Sequence, residues 1–559
     1  MKKKTIGMLA AILLLCGVTT ARAQDAVEVL QECDTTWHFG YKGINLYSRN
    51  MHRIDIAYPS VDAKGQPVRL SGSIIIPKNI YDGNSPVDGV LLYNRYTQTQ
   101  KGRCPSEGFA EGEFVFMCTP LQPNWILVES DFYGFGITRE HIADQYYVYG
   151  DANGHASVDC YLAAREILEQ RNISQGKFLI NAGCSSGGYD ALATQRVRDM
   201  YYADEVFFNK TIAGMAPFDV EKAYSTYMSK VDDPEQEAIF ALVVLNCYNR
   251  LDNLGFTPQD MYKEPLASKI EEWINSGNYT TDDIRDSLKL IGNKLSDFLQ
   301  PALYDAYSEE CQKLRASFNA HSLAEGWTPD TTQSYFYMHY FRDTAVPINS
   351  GRALLSFLTP HGYKKSIVPE LTKLTTSMFI PSKSHSLCGI QFMLHLAATL
   401  TAYPVLYYDG ELNTHYYDLV KVGTPMGIVK LLEEKGIDLQ SAIASLTGGS
   451  VGGDGSMDFF SLMATLNQFN EQLQELGTDL GEVIQVASDC GLELTDIMEI
   501  INYLNSKNEE SEESGDTANV PAMRKMHPME DMEPLVGDYY YNFLLNWLKE
   551  NNIDLENIK

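Results

Sequence analysis

Three side chains in this sequence could together perform nucleophilic chemistry: the hydroxyl of Ser185, the imidazole of His385 and the carboxylate of Asp343. Ser185 lies in NAGCSSGGYDALAT, residues 181–194, between the apolar run Phe178-Leu179-Ile180 and a stretch with helical character. The pattern Gly183-x-Ser185-x-Gly187 is weak by itself. Its position carries more, because a serine presented for attack needs a strand end, a sharp turn and a helix start in that order. Such a turn strains the serine backbone and demands small neighbours, which Gly183, Gly187 and Gly188 provide. The helix N-terminus that follows stabilises negative charge developing near Ser185. The competing reading of the same glycines is a tight turn without chemistry.

A serine hydroxyl is a poor nucleophile without a base, and the base needs an acid to orient it. At a turn of this type the partners come later in the chain, in the order Ser, Asp, His, each after a strand. FYMHYFRDTAVP places Asp343 just past one strand, and MFIPSKSHSLCG places His385 just past the next, each with a helix behind it. Taken singly, a loop aspartate is usually solvated and a lone histidine structural; order and context favour the pair. The rival base is His527, in RKMHPMEDMEP, which precedes an amphipathic helix but follows no strand. His339 falls within a strand and His395 on a helix face, and both read as packed residues. Stabilising an oxyanion also takes donors. One is expected from the backbone N–H of Ser186, and a second from the loop after VLLYN, at Arg95, Tyr96 or Thr97.

The elements that must position these residues follow from periodicity. HRIDIAYPSVDAKGQPVRLSGSIIIPKN, residues 52–79, alternates and breaks at Ala63-Lys64-Gly65, as a hairpin does. VDGVLLYNRYT and NWILVESDFYGFG each hold a continuous apolar run, suited to strands buried on both faces of a parallel sheet. Helical spacing over 157–170, a strand at 178–180, the serine turn with its helix, and KTIAGMAPF at 210–218 alternate strand with helix, which predicts an α/β class. From Asp219 to about Thr328 strand signal is sparse. Ile284, Leu288, Ile291 and Leu295 fall on one helical face, with Thr281 placed to cap it. Strand signal returns at 333–343. A helix at 349–358, a strand at 375–380 and a helix at 387–400 follow. Beyond Tyr403 a helical phrase recurs at 432–443, 473–484, 487–498 and 548–558, the pattern of helix–turn–helix packing, and NEESEESGD (508–516) is a solvated acidic run.

The whole chain, 559 residues with a net charge of −29, is disfavoured as a binder of nucleic acid or anionic membranes. Met1-Lys2-Lys3-Lys4, the apolar stretch 6–18 and Ala21-Arg22-Ala23 read as an export leader with a cleavage site before Gln24, so the mature protein is expected in the periplasm or outside the cell. No later apolar run is expected to reach spanning length; the longest, 238–245, is cut by Asn246. Of ten cysteines, Cys16 falls in the expected leader; Cys104 and Cys118 sit at loop-like spacing that would allow a pair, although sequence does not fix connectivity. No spacing signals a metal site, and no cofactor is expected.

In these residues the chain resembles the α/β-hydrolase superfamily, in its secreted lipase and esterase branch. YPSVDAKGQPVRLSGSIIIP is similar to that branch's first hairpin, SDFYGFG to its strand-four signature, GCSSGG to its elbow and RDTAVP to its acid loop. Relatives carry His-Gly where Arg95-Tyr96 stand here. The resemblance implies a mostly parallel sheet flanked by helices, in two halves (24–218 and 329–402) after a leader (1–23). A helical cap (219–328) would interrupt them, and a helical extension (403–559) with an acidic loop at 506–524 would follow. It implies a serine hydrolase cleaving carboxylic esters through an acyl-enzyme on Ser185, with Asp343 and His385 as acid and base, His527 as the alternative base, and Ser186, Tyr96 and Thr97 around the oxyanion. Tyr224, Tyr227, Phe240 and Leu245 of the cap would line an acyl or aryl pocket, and a small acylated substrate is the expected ligand. A peptidase of the same fold acting on short peptides, or a non-catalytic binding protein docking a protein partner through the C-terminal extension, are the alternatives.

Overall fold

The computed structural model describes residues 26–41, 44–109, 124–366, 373–378 and 383–407, with the isolated positions 481 and 485. The chain divides into two compact units, Met1–Gly362 with Ser382–Leu400, and Tyr363–Pro381 with Thr401–Lys559. In the first unit the continuous apolar runs become the middle of a mixed sheet. Its strands are β1 (Glu28–Tyr41), β2 (Ile44–Val61), β3 (Pro67–Pro77), β4 (Gly89–Asn94), β5 (Trp125–Ser130), β6 (Phe178–Cys184), β7 (Lys210–Gly214) and β8 (Tyr335–Met338), in the order β1-β2-β3-β5-β4-β6-β7-β8. The pairs from β1 to β5 are antiparallel, and those from β5 through β4, β6 and β7 to β8 are parallel.

Burial explains which strands were legible. Every residue of β4, β5, β6 and β7 is buried, as expected for parallel strands covered on both faces. The hairpin of β2 and β3 turns through Asp62–Gln66, with Gly65 at φ +72°. The strand β1 carries no periodic apolar signal and escapes the sequence reading. It is an edge strand, and most of its described side chains reach solvent, so nothing forces them to be apolar.

Helices α1 (Ala152–Gln170) and α2 (Ser186–Tyr201) follow β5 and β6. Val158, Ala164 and Leu168 of α1 pack with Ile54, Ile74, Val90 and Val128 of the sheet in the principal core. Each buried Val, Leu or Ile among them contributes roughly 1.5–3 kcal/mol of apolar transfer energy, and the Ala164 methyl less. The segment after β7 is helical: α3 (Val220–Met228), α4 (Ala238–Leu251), α5 (Thr281–Lys289) and α6 (Glu309–Ala320). Here the structure corrects a detail. Thr280, not Thr281, caps α5, accepting from the Asp283 N–H in a reciprocal capping box. The helix stops at Lys289 and Leu295 opens a separate short helix, so only Ile284 and Leu288 share one buried helical stripe.

After β8 come α7 (Ile348–Leu358) and α8 (His385–Leu406). By length and composition, residues 385–404 could cross a bilayer, contrary to the expectation that no such run exists. Half of that stretch is buried. Its His395 ring stacks on Phe336 with centroids 3.9 Å apart, and its Leu400 carbonyl accepts from the Trp125 indole at 2.8 Å, so this part is a core helix. In the second unit, Lys365–Ser366 pairs in parallel with Leu374–Ser377. The leader, Cys118, His527, the repeated helical phrases and the acidic run lie outside the described residues. Cys104 is a buried free thiol.

Candidate active site

Ser185 is the hinge between β6 and α2, at φ 58° and ψ −127°, a conformation that costs a non-glycine residue on the order of 1–3 kcal/mol. The surrounding backbone enforces it. The Ser185 N–H donates to the Gly214 carbonyl at 2.8 Å. A Cβ on Gly183 would lie 2.1 Å from the Gly187 carbonyl oxygen, one on Gly187 2.1 Å from that of Asn94, and one on Gly188 2.5 Å from that of Gly214. No side chain fits at any of the three, which is why the sequence has glycine there.

Asp343 lies in the loop between β8 and α7, and His385 opens α8. His385 Nε2 is 2.9 Å from Ser185 Oγ, and His385 Nδ1 is 2.7 Å from Asp343 Oδ2. The other carboxylate oxygen, Oδ1, accepts from the N–H groups of Ala345 at 2.8 Å and Val346 at 2.9 Å. All three side chains are buried. Burial pushes the Asp343 pKa up, but the facing His385 and these hydrogen bonds outweigh it and hold the carboxyl below its ordinary value. Burial pushes His385 down, yet the Asp343 charge and hydrogen bond, with a further contribution from Glu237, leave its pKa above the ordinary histidine value. An ionised acid that holds an imidazole by Nδ1 leaves Nε2 to accept a proton from Ser185.

Ser186 is the first residue of α2, so its N–H has no acceptor within the helix. Thr97 is buried beside it, with Oγ1 3.1 Å from Ser186 Oγ and 2.7 Å from the Tyr147 hydroxyl. Tyr96 is 37% exposed. Arg95 is committed elsewhere: its guanidinium donates to the carbonyls of Arg103 and Asp131 and stacks 4.0 Å from the Phe135 ring centroid. The loop is also tied to the helical segment, through Thr99 Oγ1 to the Tyr279 carbonyl at 2.8 Å and the Lys101 N–H to the Gly277 carbonyl at 3.0 Å.

A cavity of about 60 Å³ adjoins Ser185 and Ser186. Tyr224, Tyr227, Phe240 and Leu245, named from sequence, all line it, together with Tyr147 and Val346, which sequence reasoning missed. The hydroxyls of Tyr224 and Tyr227 donate to the Leu303 and Ala345 carbonyls, which ties both rings to the cavity wall. Tyr147 could have been found only from its loop's position before α1, since a lone tyrosine carries no spacing signal. His395 is a packed residue, and His339 lies next to Asp343 without touching Ser185 or His385 by any hydrogen bond shown. Among the described residues no group of His, Cys, Asp and Glu is arranged to hold a metal ion.

No protein-family model and no curated protein sequence matches the chain. Solved structures do. A Legionella pneumophila protein superposes with a TM-score of 0.56 at 12% identity, over 67% of this chain and 98% of its own. The rice cell wall degrading esterase LipA from Xanthomonas oryzae superposes at 0.55 with 17% identity, over 68% of this chain and 98% of its own. Candida antarctica lipase A in its closed state reaches 0.45 at 15% identity, over 65% of this chain and 78% of its own. With the sheet order and the elbow at Ser185, the first two likenesses establish that the chain has the α/β-hydrolase fold.

Proposed function

We propose that this chain is an exported serine hydrolase that cleaves carboxylic esters. The observation that carries the reading is a single imidazole, His385, within hydrogen-bond reach of a strained serine on one side and a buried, doubly anchored carboxylate on the other. The likeness to an esterase fold supports an ester as the substrate. In this reading Ser185 Oγ attacks the acyl carbon while His385 Nε2 takes its proton. The Ser186 N–H and the loop at Tyr96 and Thr97 receive the oxyanion. The tetrahedral adduct then expels the alcohol, which takes the proton from His385. Water, deprotonated by the same nitrogen, attacks the acyl-enzyme and releases the acid. Throughout, Asp343 keeps its charge and holds His385 in the required tautomer. The acyl group would occupy the apolar cavity lined by Tyr224, Tyr227, Phe240 and Leu245.

A fluorophosphonate probe is expected to label the wild type and spare Ser185→Ala, and hydrolysis of acyl nitrophenyl esters is expected to fall by about 10⁴-fold or more in that variant. A folded wild type that takes no label would instead favour a non-catalytic binding protein. A panel adding acetylated sugars, feruloyl esters and aminoacyl amides sorts the substrate, and preference for the amides would favour the peptidase.

A further inference from the structure

A second imidazole lies beside Asp343. His339 directly follows β8 and is wholly buried. Its Nε2 is 2.9 Å from the Val346 carbonyl oxygen and its Nδ1 is 2.9 Å from the Tyr337 hydroxyl. A carbonyl only accepts, so Nε2 carries a hydrogen and donates it. Burial holds this imidazole's pKa below the ordinary histidine value despite the facing Asp343 charge, so the ring is neutral and Nδ1 accepts from Tyr337. At 3.8 Å from Asp343 Oδ2, His339 Nε2 makes no hydrogen bond to the carboxylate itself. What it holds is Val346, whose own N–H is one of the two donors to Asp343 Oδ1. The arrangement has no slack. A Cβ on Gly351 of α7 would lie 2.2 Å from the Tyr337 hydroxyl and 2.8 Å from His339 Nδ1.

We propose that His339 is a positioning residue for Asp343. Its Nε2–H clamps the Val346 carbonyl, fixes the backbone on both sides of Val346, and so keeps the Ala345 and Val346 N–H groups on Oδ1. Oδ2 is thereby left for His385. The proposal rests on reading Ser185, His385 and Asp343 as the catalytic groups. A histidine that merely fills core volume would serve equally well as any residue of its shape, and that difference is measurable.

In His339→Gln the side-chain amide reaches the place of Nε2 and restores the donor to Val346. In His339→Asn the amide reaches only the place of Nδ1, toward Tyr337. His339→Leu fills space and offers neither. The clamp predicts kcat within about threefold of wild type for the Gln variant, and a loss of about 10- to 100-fold at unchanged KM for the Asn and Leu variants, the size expected for an acid displaced by a fraction of an ångström. Titration of the His385 imidazole by NMR gives a readout that needs no substrate. After burial, the charges that act most on His385 are Asp343, Glu237 and Arg285; the His339 and His385 rings repel only when both are charged, and His339 is neutral. Only the Asp343 contact changes with residue 339, so the His385 pKa is expected to fall in the Asn and Leu variants and to stay in the Gln variant. Equal behaviour of the Gln and Leu variants, or one His385 titration for all four proteins, overturns the proposal. Should Leu not fold, the Gln and Asn variants decide. Should Gln not fold either, restoring the Val346 bond has failed to restore the loop, and the proposal is wrong. A wild type that hydrolyses no ester, yet whose His385 titration depends on residue 339 in this way, sinks the esterase reading and leaves the clamp.

Discussion

The turn after β6 and the turn after β8 hold their functional side chains by opposite means. Ser185 is fixed by crowding, because Gly183, Gly187 and Gly188 each bring a carbonyl oxygen to within 2.5 Å of where a Cβ would stand. Asp343 is fixed by hydrogen bonds: its loop contains no glycine, and the carboxylate is held by two N–H groups and one imidazole. A crowded turn specifies residue size and tolerates almost no substitution. A hydrogen-bonded loop specifies donors and acceptors, and it degrades by degrees as they are removed one at a time.

The comparison breaks first at the carboxylate. Asp343→Asn would present an amide N–H toward His385 Nδ1 and favour the tautomer whose Nε2 already carries a hydrogen, so Ser185 would lose its base. We expect kcat for ester hydrolysis to fall about 10⁴-fold with KM little changed. Steady-state kinetics on a folded variant decides it, and a loss below tenfold would mean that His385 does not depend on Asp343. Next comes the crowded turn. In Gly187→Ala the new methyl would meet the backbone oxygens of Asn94 at 2.1 Å and Arg95 at 2.6 Å, neither of which can swing aside as a side chain does. Overpacking of this kind costs roughly 1–3 kcal/mol or more, and a displaced Ser185 costs about 10²-fold in kcat. Thermal melts and kinetics would both register it. An alanine tolerated in both measurements would show that the turn is not set by contact.

The same difference explains what the sequence disclosed. Crowding leaves its mark in residue type at fixed spacing, so GCSSGG could be read from its glycines together with its place between an apolar run and a helix. Strands β4 to β7 were legible because burial on both faces leaves an unbroken apolar run. The strand β1 was not, because an exposed edge places no demand on its side chains. Asp343 and His385 were located by order along the chain, and the structure brings them together with Ser185. His339 was read as a packed residue, which its burial bears out. Its bond to Val346 was invisible, because a hydrogen bond to a carbonyl seven positions away has no sequence signature. The available hint was that Tyr335, Tyr337 and His339 fall two apart in YFYMH, through the strand and just past its end. The Thr99 and Lys101 ties to the helical segment were illegible for the same reason, since both end on main-chain oxygens.

Gly351→Ala tests whether the hydrogen-bonded loop yields by degrees. Its methyl would press on the Tyr337 hydroxyl and His339 Nδ1, which are side-chain atoms and not backbone. Displacing them strains the contact to Val346 without deleting any donor. About a tenfold loss in kcat at constant KM is expected, smaller than for Gly187→Ala. If Gly351→Ala proves the more damaging of the two, the loop is as crowded as the elbow and the contrast drawn above is false.

The smallest effect concerns the charge above the imidazole. Glu237 raises the His385 pKa and Arg285 lowers it, after the larger influences of burial and Asp343. The two also pair with each other, at 3.1 Å between Arg285 Nη2 and Glu237 Oε2, so each screens the other. In the proposed mechanism His385 is neutral when it accepts the Ser185 proton, so kcat/KM is expected to rise as pH climbs through its pKa, above the ordinary histidine value. Removing a negative charge makes the imidazolium harder to form. Glu237→Gln is therefore expected to move the acid limb of the pH profile slightly toward lower pH, with less than twofold change at the plateau. Arg285→Gln is expected to move it the other way. Asp343, buried and anchored by two N–H groups, sets the main displacement and changes in neither variant. A shift of the same sign in both variants would mean that the cap acts on His385 through packing, with Phe240 at 5.9 Å from its ring as the contact to examine, and not through charge.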